Sequence, residues 1–220
     1  LAQAGGFVPV SASGWVIHDT LTARLHPARA CAALVAALRA SGVEIGEAAP
    51  DAGAVVHATG WQGLMALSDA VGRKVGDGVK GQAVLLRHDA RGGPQLFAEG
   101  LHIVPHDDGT VAIGSTSERA FDAAAATDDQ CDAVLARARA AVPALAAAPE
   151  IRRWAGVRPR ARSRAPLLGA WPGRDGHYIA NGGFKIGFGM APKSAEALAD
   201  LVLDGRDTIP EAFRPEALLP

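Results

Sequence analysis

The 220-residue sequence is 49% hydrophobic and 20% charged, a composition of ordered globular proteins that excludes disorder as its resting state. The length supports one large domain or two small ones, each with a core. Twenty-two Lys and Arg against 23 Asp and Glu leave a formal net charge of −1, so nothing draws the whole chain toward nucleic acid or an anionic membrane. No apolar run approaches the length of a membrane span, and no basic-then-apolar leader opens the chain; the expected location is cytoplasmic.

The chain opens on Leu1 rather than Met, and its first residues read like the interior of a longer sequence. The first predicted helix follows Pro27, keeps Ala30, Cys31, Leu34, Val35 and Leu38 at helical spacing, and stops at Gly42. "AVVHATG" (54–60) predicts a short buried strand running into a glycine turn. Apolar or β-branched runs at 81–88, 101–105 and 110–116 predict further strands, the last two joined by a hairpin turn at 107–109. A second helix is predicted from Thr127, with Gln130 as its capping-box partner and Cys131, Val134, Leu135, Ala138 and Val142 as its apolar stripe, ending at Pro143. Extended pieces follow at 154–169 and 177–180. A third helix is predicted from about Pro192 to Gly205. Helices before, between and after a cluster of strands make a mixed α/β (α+β) chain. Cys31 and Cys131 both fall on helical stripes and are expected to be buried, reduced and apolar in character.

The stretch "NGGFKIGFGMAPK" (181–193) places Gly182, Gly183, Gly187 and Gly189 ahead of the third helix, with no acid between His177 and Ala195. A helix N-terminus leaves N–H groups unpaired and carries partial positive charge, and glycines let a ligand approach the backbone closely. From the residues alone, a site for anionic oxygens and a tight strand-to-helix turn that needs glycine for packing both remain open.

Five stretches in register resemble the FAD-dependent D-amino-acid oxidase family, in particular its glycine oxidase and sarcosine oxidase branch. "VVHATGW" (55–61) is similar to the strand and turn near the adenosine part of FAD, and "VKGQ" (79–82) to the entry to the substrate-domain sheet. "LHIVPHDDGTVAIGSTSE" (101–118), "WAGVRPRARSRAPLLG" (154–169) and "YIANGGFKIGFGMAPKSAEALADLVL" (178–203) resemble a substrate-sheet hairpin, the arginine-bearing strand, and the loop and helix that receive the flavin ring. The order agrees from about residue 15 to the C-terminus. The family's glycine fingerprint for the pyrophosphate, GxGxxG, has no match before residue 60. The resemblance therefore covers the C-terminal two-thirds of such a flavoprotein: a partial FAD-binding domain at 1–78, a mostly antiparallel substrate-binding sheet at 79–168, and a return to the FAD-binding domain at 169–220.

The resemblance implies non-covalent FAD as cofactor, held by Gly60, Trp61, Gly182, Gly183, Phe184, Lys185, Ile186, Gly187, Phe188 and Gly189; no cysteine in the loop offers a covalent link. It implies a small-molecule amino-acid substrate whose C–N bond is oxidised by hydride transfer to flavin. Arg158 matches the arginine that holds the substrate carboxylate, a task that suits a planar, permanently charged guanidinium. His102 stands where relatives place a tyrosine, and an imidazole can donate a similar hydrogen bond; a satisfied core histidine is the competing reading. Lys185 aligns with a cationic position near the substrate and can equally face the flavin N1–C2=O region. Arg152, Arg153, Arg160, Arg162 and Arg164 read as a solvated strand face. No metal site, nucleic-acid partner or membrane span is expected, a homo-oligomer stays open, and the missing lysine in 109–117 points to an acceptor other than oxygen. The rival readings are an amino-acid dehydrogenase with a non-oxygen acceptor and a non-catalytic fragment without flavin.

Overall fold

The computed structural model describes residues 6–218, so Leu1 lies outside the described residues. In chain order the elements are α1 (Pro27–Ala40), β1 (Val55–His57), α2 (Gly60–Ala70), β2 (Gly76–Arg87), β3 (Leu96–Ala98), β4 (Leu101–Pro105), β5 (Thr110–Gly114), α3 (Gln130–Ala141), β6 (Glu150–Ala161), β7 (Leu167–Ala170), β8 (His177–Asn181) and α4 (Gly187–Asp204), with short 3-10 turns after α3 and α4. The strands form a five-stranded sheet in the order β3-β4-β5-β2-β6 and a three-stranded sheet in the order β1-β8-β7. The chain divides into two compact units: residues 1–49, 81–117 and 123–156 in one, and 50–80, 118–122 and 157–220 in the other.

In the first unit β4 and β5 form the expected hairpin, His102 opposite Gly114 and Pro105 opposite Val111, and β5 pairs antiparallel with β2. Period-two alternation turns Leu101, Ile103, Val111, Ile113, Val84 and Leu86 inward onto Cys131, Val134, Leu135 and Ala138 of α3. The α3 stripe is thus buried as its spacing predicts. Its start differs: Asp129 is the N-cap residue and makes no side-chain cap hydrogen bond, while Asp128 Oδ1 accepts the Gln130 N–H at 2.9 Å. The start is held by the Asp128 carboxylate rather than by the Thr127 hydroxyl and the expected capping box. In α1 no residue is buried, Leu34 being 62% and Leu38 46% exposed. The described residues therefore leave its apolar stripe uncovered, and Cys31 is exposed where burial was expected.

In the second unit β1 runs parallel to β8, His57 opposite Ile179, and β7 pairs antiparallel with β8. Leu167 onward therefore leaves the arginine-bearing strand, although 154–169 reads as one extended piece in sequence. Leu64 and Leu67 of α2 pack on Val75, Ala161, Leu167 and Ile179; Ala197 and Leu198 of α4 pack on Leu168 and Ile209. Helix α2 is not apparent in the sequence because Gly60 reads as a turn residue. Within it Gly63 is a close-packing residue, since a Cβ there would stand 1.9 Å from Thr59 Oγ1. Helix α4 begins at Gly187, more than a turn before Pro192, which sits inside it. It ends at Gly205 in the left-handed region, as a glycine stop predicts.

Candidate functional site

The glycine loop leaves β8 and enters α4 beside the end of β1. Asn181 fixes this junction: its Nδ2 donates to Gly60 O at 2.8 Å, and its Oδ1 accepts the Gly182 N–H at 2.8 Å. The loop's four glycines then separate into two pairs. Gly182 sits at φ +73°, and a Cβ there would meet Ala161 Cβ at 3.0 Å and Leu167 N at 3.2 Å; a Cβ on Gly183 would stand 2.8 Å from Gly187 Cα. These two are glycine for packing. Gly187 and Gly189 have no heavy atom within 4 Å of where a Cβ would project. Their backbone faces open space at the first turn of α4, whose leading N–H groups lack helical partners and whose first turn carries no acid. Ile186 and Phe188 between them are 51% and 45% exposed.

Strand β6 meets this loop through its backbone. Phe184 N–H donates to Pro159 O at 3.0 Å, and Arg160 forms a bridge with Gly183. Arg158, one residue before Pro159, is half-buried. Burial pushes its guanidinium down from the ordinary arginine value, and the negative charge of Glu118 works the other way. Glu118 in turn lies 3.6 Å from Nζ of the buried Lys80 and exchanges backbone hydrogen bonds with it. Phe184 is held at φ +44°, unusual for a bulky side chain and therefore imposed by its surroundings. The Arg160 guanidinium carbon lies 5.9 Å and Lys185 Nζ 5.8 Å from the Phe184 ring centroid.

The five neighbouring arginines are not one solvated face. Arg152, Arg162 and Arg164 are exposed, but Arg153 is half-buried in ion pairs with Glu150 and Asp132, each at 2.6 Å, and Arg160 is half-buried over Phe184. Local acids explain the first departure and an aromatic ring the second. The two-residue spacing of Arg158 and Arg160 is the sequence signal that separates Arg160 from the solvated run, since residues two apart on a strand share a face.

Gly60, at φ +63°, opens α2, and Trp61 is half-buried, edge-on to Phe121 at 5.9 Å. His102 belongs to the other unit, where it is exposed on β4 with its ring 4.9 Å from that of Phe97. It is therefore not a core histidine. His106 is the buried one, bonded through Nδ1 to Thr110 Oγ1 at 3.2 Å. A further cluster escaped the sequence reading: His57 Nε2 lies 2.9 Å from His177 Nδ1, with Asp51 3.5 Å from the far side of His177 and Trp171 against His57. Burial, then the neighbouring His177 and Arg174 charges, lower the His57 pKa, and Asp51 opposes them. Among the described residues no group of three His, Cys, Asp or Glu is placed to hold a metal ion.

The flavin implied by the sequence resemblance fits the loop. Its open glycine backbone, acid-free helix start and adjacent cations suit a ring that gains negative charge when reduced, and Gly187 and Gly189 lack the close neighbours of packing glycines. For the nucleotide end, the sequence carries no GxGxxG before residue 60.

The chain is similar to known proteins over most of its length. The FAD dependent oxidoreductase (DAO) family matches residues 4–201. Glycine oxidase of Pseudomonas aeruginosa is 35% identical over 144 residues, covering 64% of this chain and 39% of that protein. Glycine oxidase of Pseudomonas putida is 30% identical over 184 residues, covering 82% of this chain and 50% of that protein. Among solved structures, iminodiacetate oxidase from Chelativorans sp. BNC1 superposes with a TM-score of 0.66 at 28% identity, over 77% of this chain and 47% of that one. The chain spans half or less of the length of these relatives. With most of its length matched, the chain belongs to the DAO family of FAD-dependent oxidoreductases.

Proposed function

We propose that this chain supplies the flavin-ring loop and the carboxylate-binding strand of an FAD-dependent enzyme that oxidises the C–N bond of a small amino acid or N-substituted glycine. The observation that carries the proposal is the hydrogen bond from Phe184 N–H to Pro159 O. It ties a loop with open glycine backbone to the residue next to a half-buried arginine. Residues 1–78 and 169–220 then hold the cofactor, and 79–168 hold the substrate. The relatives named glycine oxidase and iminodiacetate oxidase support a substrate that carries both an amine and a carboxylate.

Arg158 holds the substrate carboxylate. Its partial burial makes each charge-assisted hydrogen bond stronger than at the surface, and its fork fixes the orientation of the α-carbon. Bound FAD would accept the hydride from that carbon. The backbone at Gly187–Gly189 would approach the bound ring, Asn181 and the packed Gly182 and Gly183 hold the loop in shape, and Lys185 would supply positive charge beside it. For His102, exposure on β4 supports a donor to an anionic group. Neither cysteine is in a disulfide, which fits a reducing compartment, and we extend the proposal to the cytoplasm.

The test is anaerobic mixing of the flavin-loaded protein with glycine, N-methylglycine and a matched amine lacking a carboxylate. The two amino acids should bleach the flavin absorbance, and hydrolysis of the imine formed should release glyoxylate with ammonia from glycine or methylamine from N-methylglycine. Bleaching by the simple amine alone, or by none of the three, would overturn the proposal.

A further inference from the structure

Arg160 and Lys185 present two cations to one ring. The guanidinium carbon and the ammonium lie 5.9 and 5.8 Å from the Phe184 centroid, close enough for both to feel the ring's negative face. Two cations beside one side chain raise the local positive potential, which favours an anion near them. Neither cation has an ion pair with a carboxylate among the described residues. The acid whose titration responds to Arg160 is Asp77, but that carboxylate is bound by Lys74 Nζ and by the Gly78 N–H. The loop itself brings no acid between His177 and Ala195.

The backbone that carries both cations is held in register. The Arg160–Gly183 bridge and the Phe184–Pro159 hydrogen bond fix the register of the loop on β6, and Phe184 keeps a left-handed backbone there. Arg158 and Arg160 are two residues apart on one strand, so their side chains leave the same face, about 6.6 Å apart at the backbone.

We propose that Arg160, Lys185 and the Phe184 ring form a second anion subsite, which receives the distal carboxylate of a substrate whose first carboxylate is held by Arg158. The substrate class is then a dicarboxylic amine: an amino acid with an acidic side chain, or a glycine bearing a carboxyalkyl group on nitrogen. The inference rests on the reading of Arg158 given above and narrows it.

The same cations would also suit the electron-rich edge of a flavin ring, and the experiment separates the two sources. Equilibrium binding of iminodiacetate and of N-methylglycine is measured by calorimetry on the purified protein, for wild type, Arg160→Gln, Arg160→Lys and Lys185→Met, with FAD dissociation measured in parallel. Wild type should bind iminodiacetate at least about 10-fold more tightly, as one added charge-assisted contact provides. The ratio should fall toward one in Arg160→Gln and Lys185→Met and be partly kept in Arg160→Lys. Equal affinities in wild type, or an unchanged ratio in the variants with weakened FAD binding, would overturn the subsite while leaving Arg158 in its role. If Arg158→Ala changes the binding of neither ligand, both readings fall together.

Discussion

Strand β6 carries arginines along its whole length, yet its two halves treat them differently. In the first half Arg153 is bound by Glu150 from its own strand and Asp132 from α3, which hold its pKa above the ordinary arginine value. In the second half Arg160 faces an aromatic ring and a lysine, and Arg158 is half-buried with its pKa pushed down by burial. Residue type does not distinguish these positions. What distinguishes Arg153 from Arg160 is whether the fold brings carboxylates or an aromatic ring to the guanidinium, while Arg158 combines burial with the charge of Glu118. A cation with two carboxylates at 2.6 Å has its hydrogen bonds committed to structure, while cations beside an acid-free loop are suited to a ligand.

The strongest way to break this contrast is Arg158→Ala. A buried carboxylate left without its partner costs about 2–5 kcal/mol, so kcat/KM for amino acids should fall about 30- to 5,000-fold with flavin content intact. Arg158→Lys should recover part of it, and the exposed Arg162→Ala very little. Steady-state kinetics on glycine and N-methylglycine checks all three.

The glycine loop repeats the contrast on a smaller scale. Gly182→Val forces a β-branched residue to φ +73° against Ala161 and Leu167, costing about 2 kcal/mol or more and lowering the unfolding midpoint by about 4–8 °C, readable by calorimetry.

Acid should act on the histidines. His57 and His106 both have pKa values lowered in the fold, chiefly by burial. Between the folded value and the unfolded value of 6.5, the unfolded chain binds more protons, so stability rises with pH across that window and is lost as pH falls below 6.5. Urea unfolding between pH 7.5 and 5 should show the decline, and replacing either histidine with Gln should flatten it. The smallest effect belongs to Arg153→Met, which removes partly exposed ion pairs: a slight fall in thermal midpoint, reduced further by salt, with no change in substrate ratio.

Periodic elements were plain in the sequence. The α3 stripe and the β4–β5 hairpin have the spacing, alternation and turn residues that their structure uses. Less legible were positions where one residue type serves opposite ends. Gly60 looks like a turn and opens helix α2, and Pro192 looks like a helix start and lies inside one. The candidate site is legible in the sequence as a set of residues that the motif order suggests. Its internal division is not: whether Gly182 or Gly187 faces open space depends on Ala161 and Leu167, which only the tertiary fold brings alongside.

FAD affinity of Gly187→Val tests the central claim most directly, because that glycine has open space where its side chain would project. The protein without flavin should melt within about 1 °C of wild type, as surface substitutions do. FAD dissociation, followed by flavin fluorescence, should weaken at least about 10-fold, since the added side chain occupies the approach to the loop backbone. An unchanged dissociation constant in a variant that folds normally would contradict the account and leave the loop a turn that needs glycine only for packing.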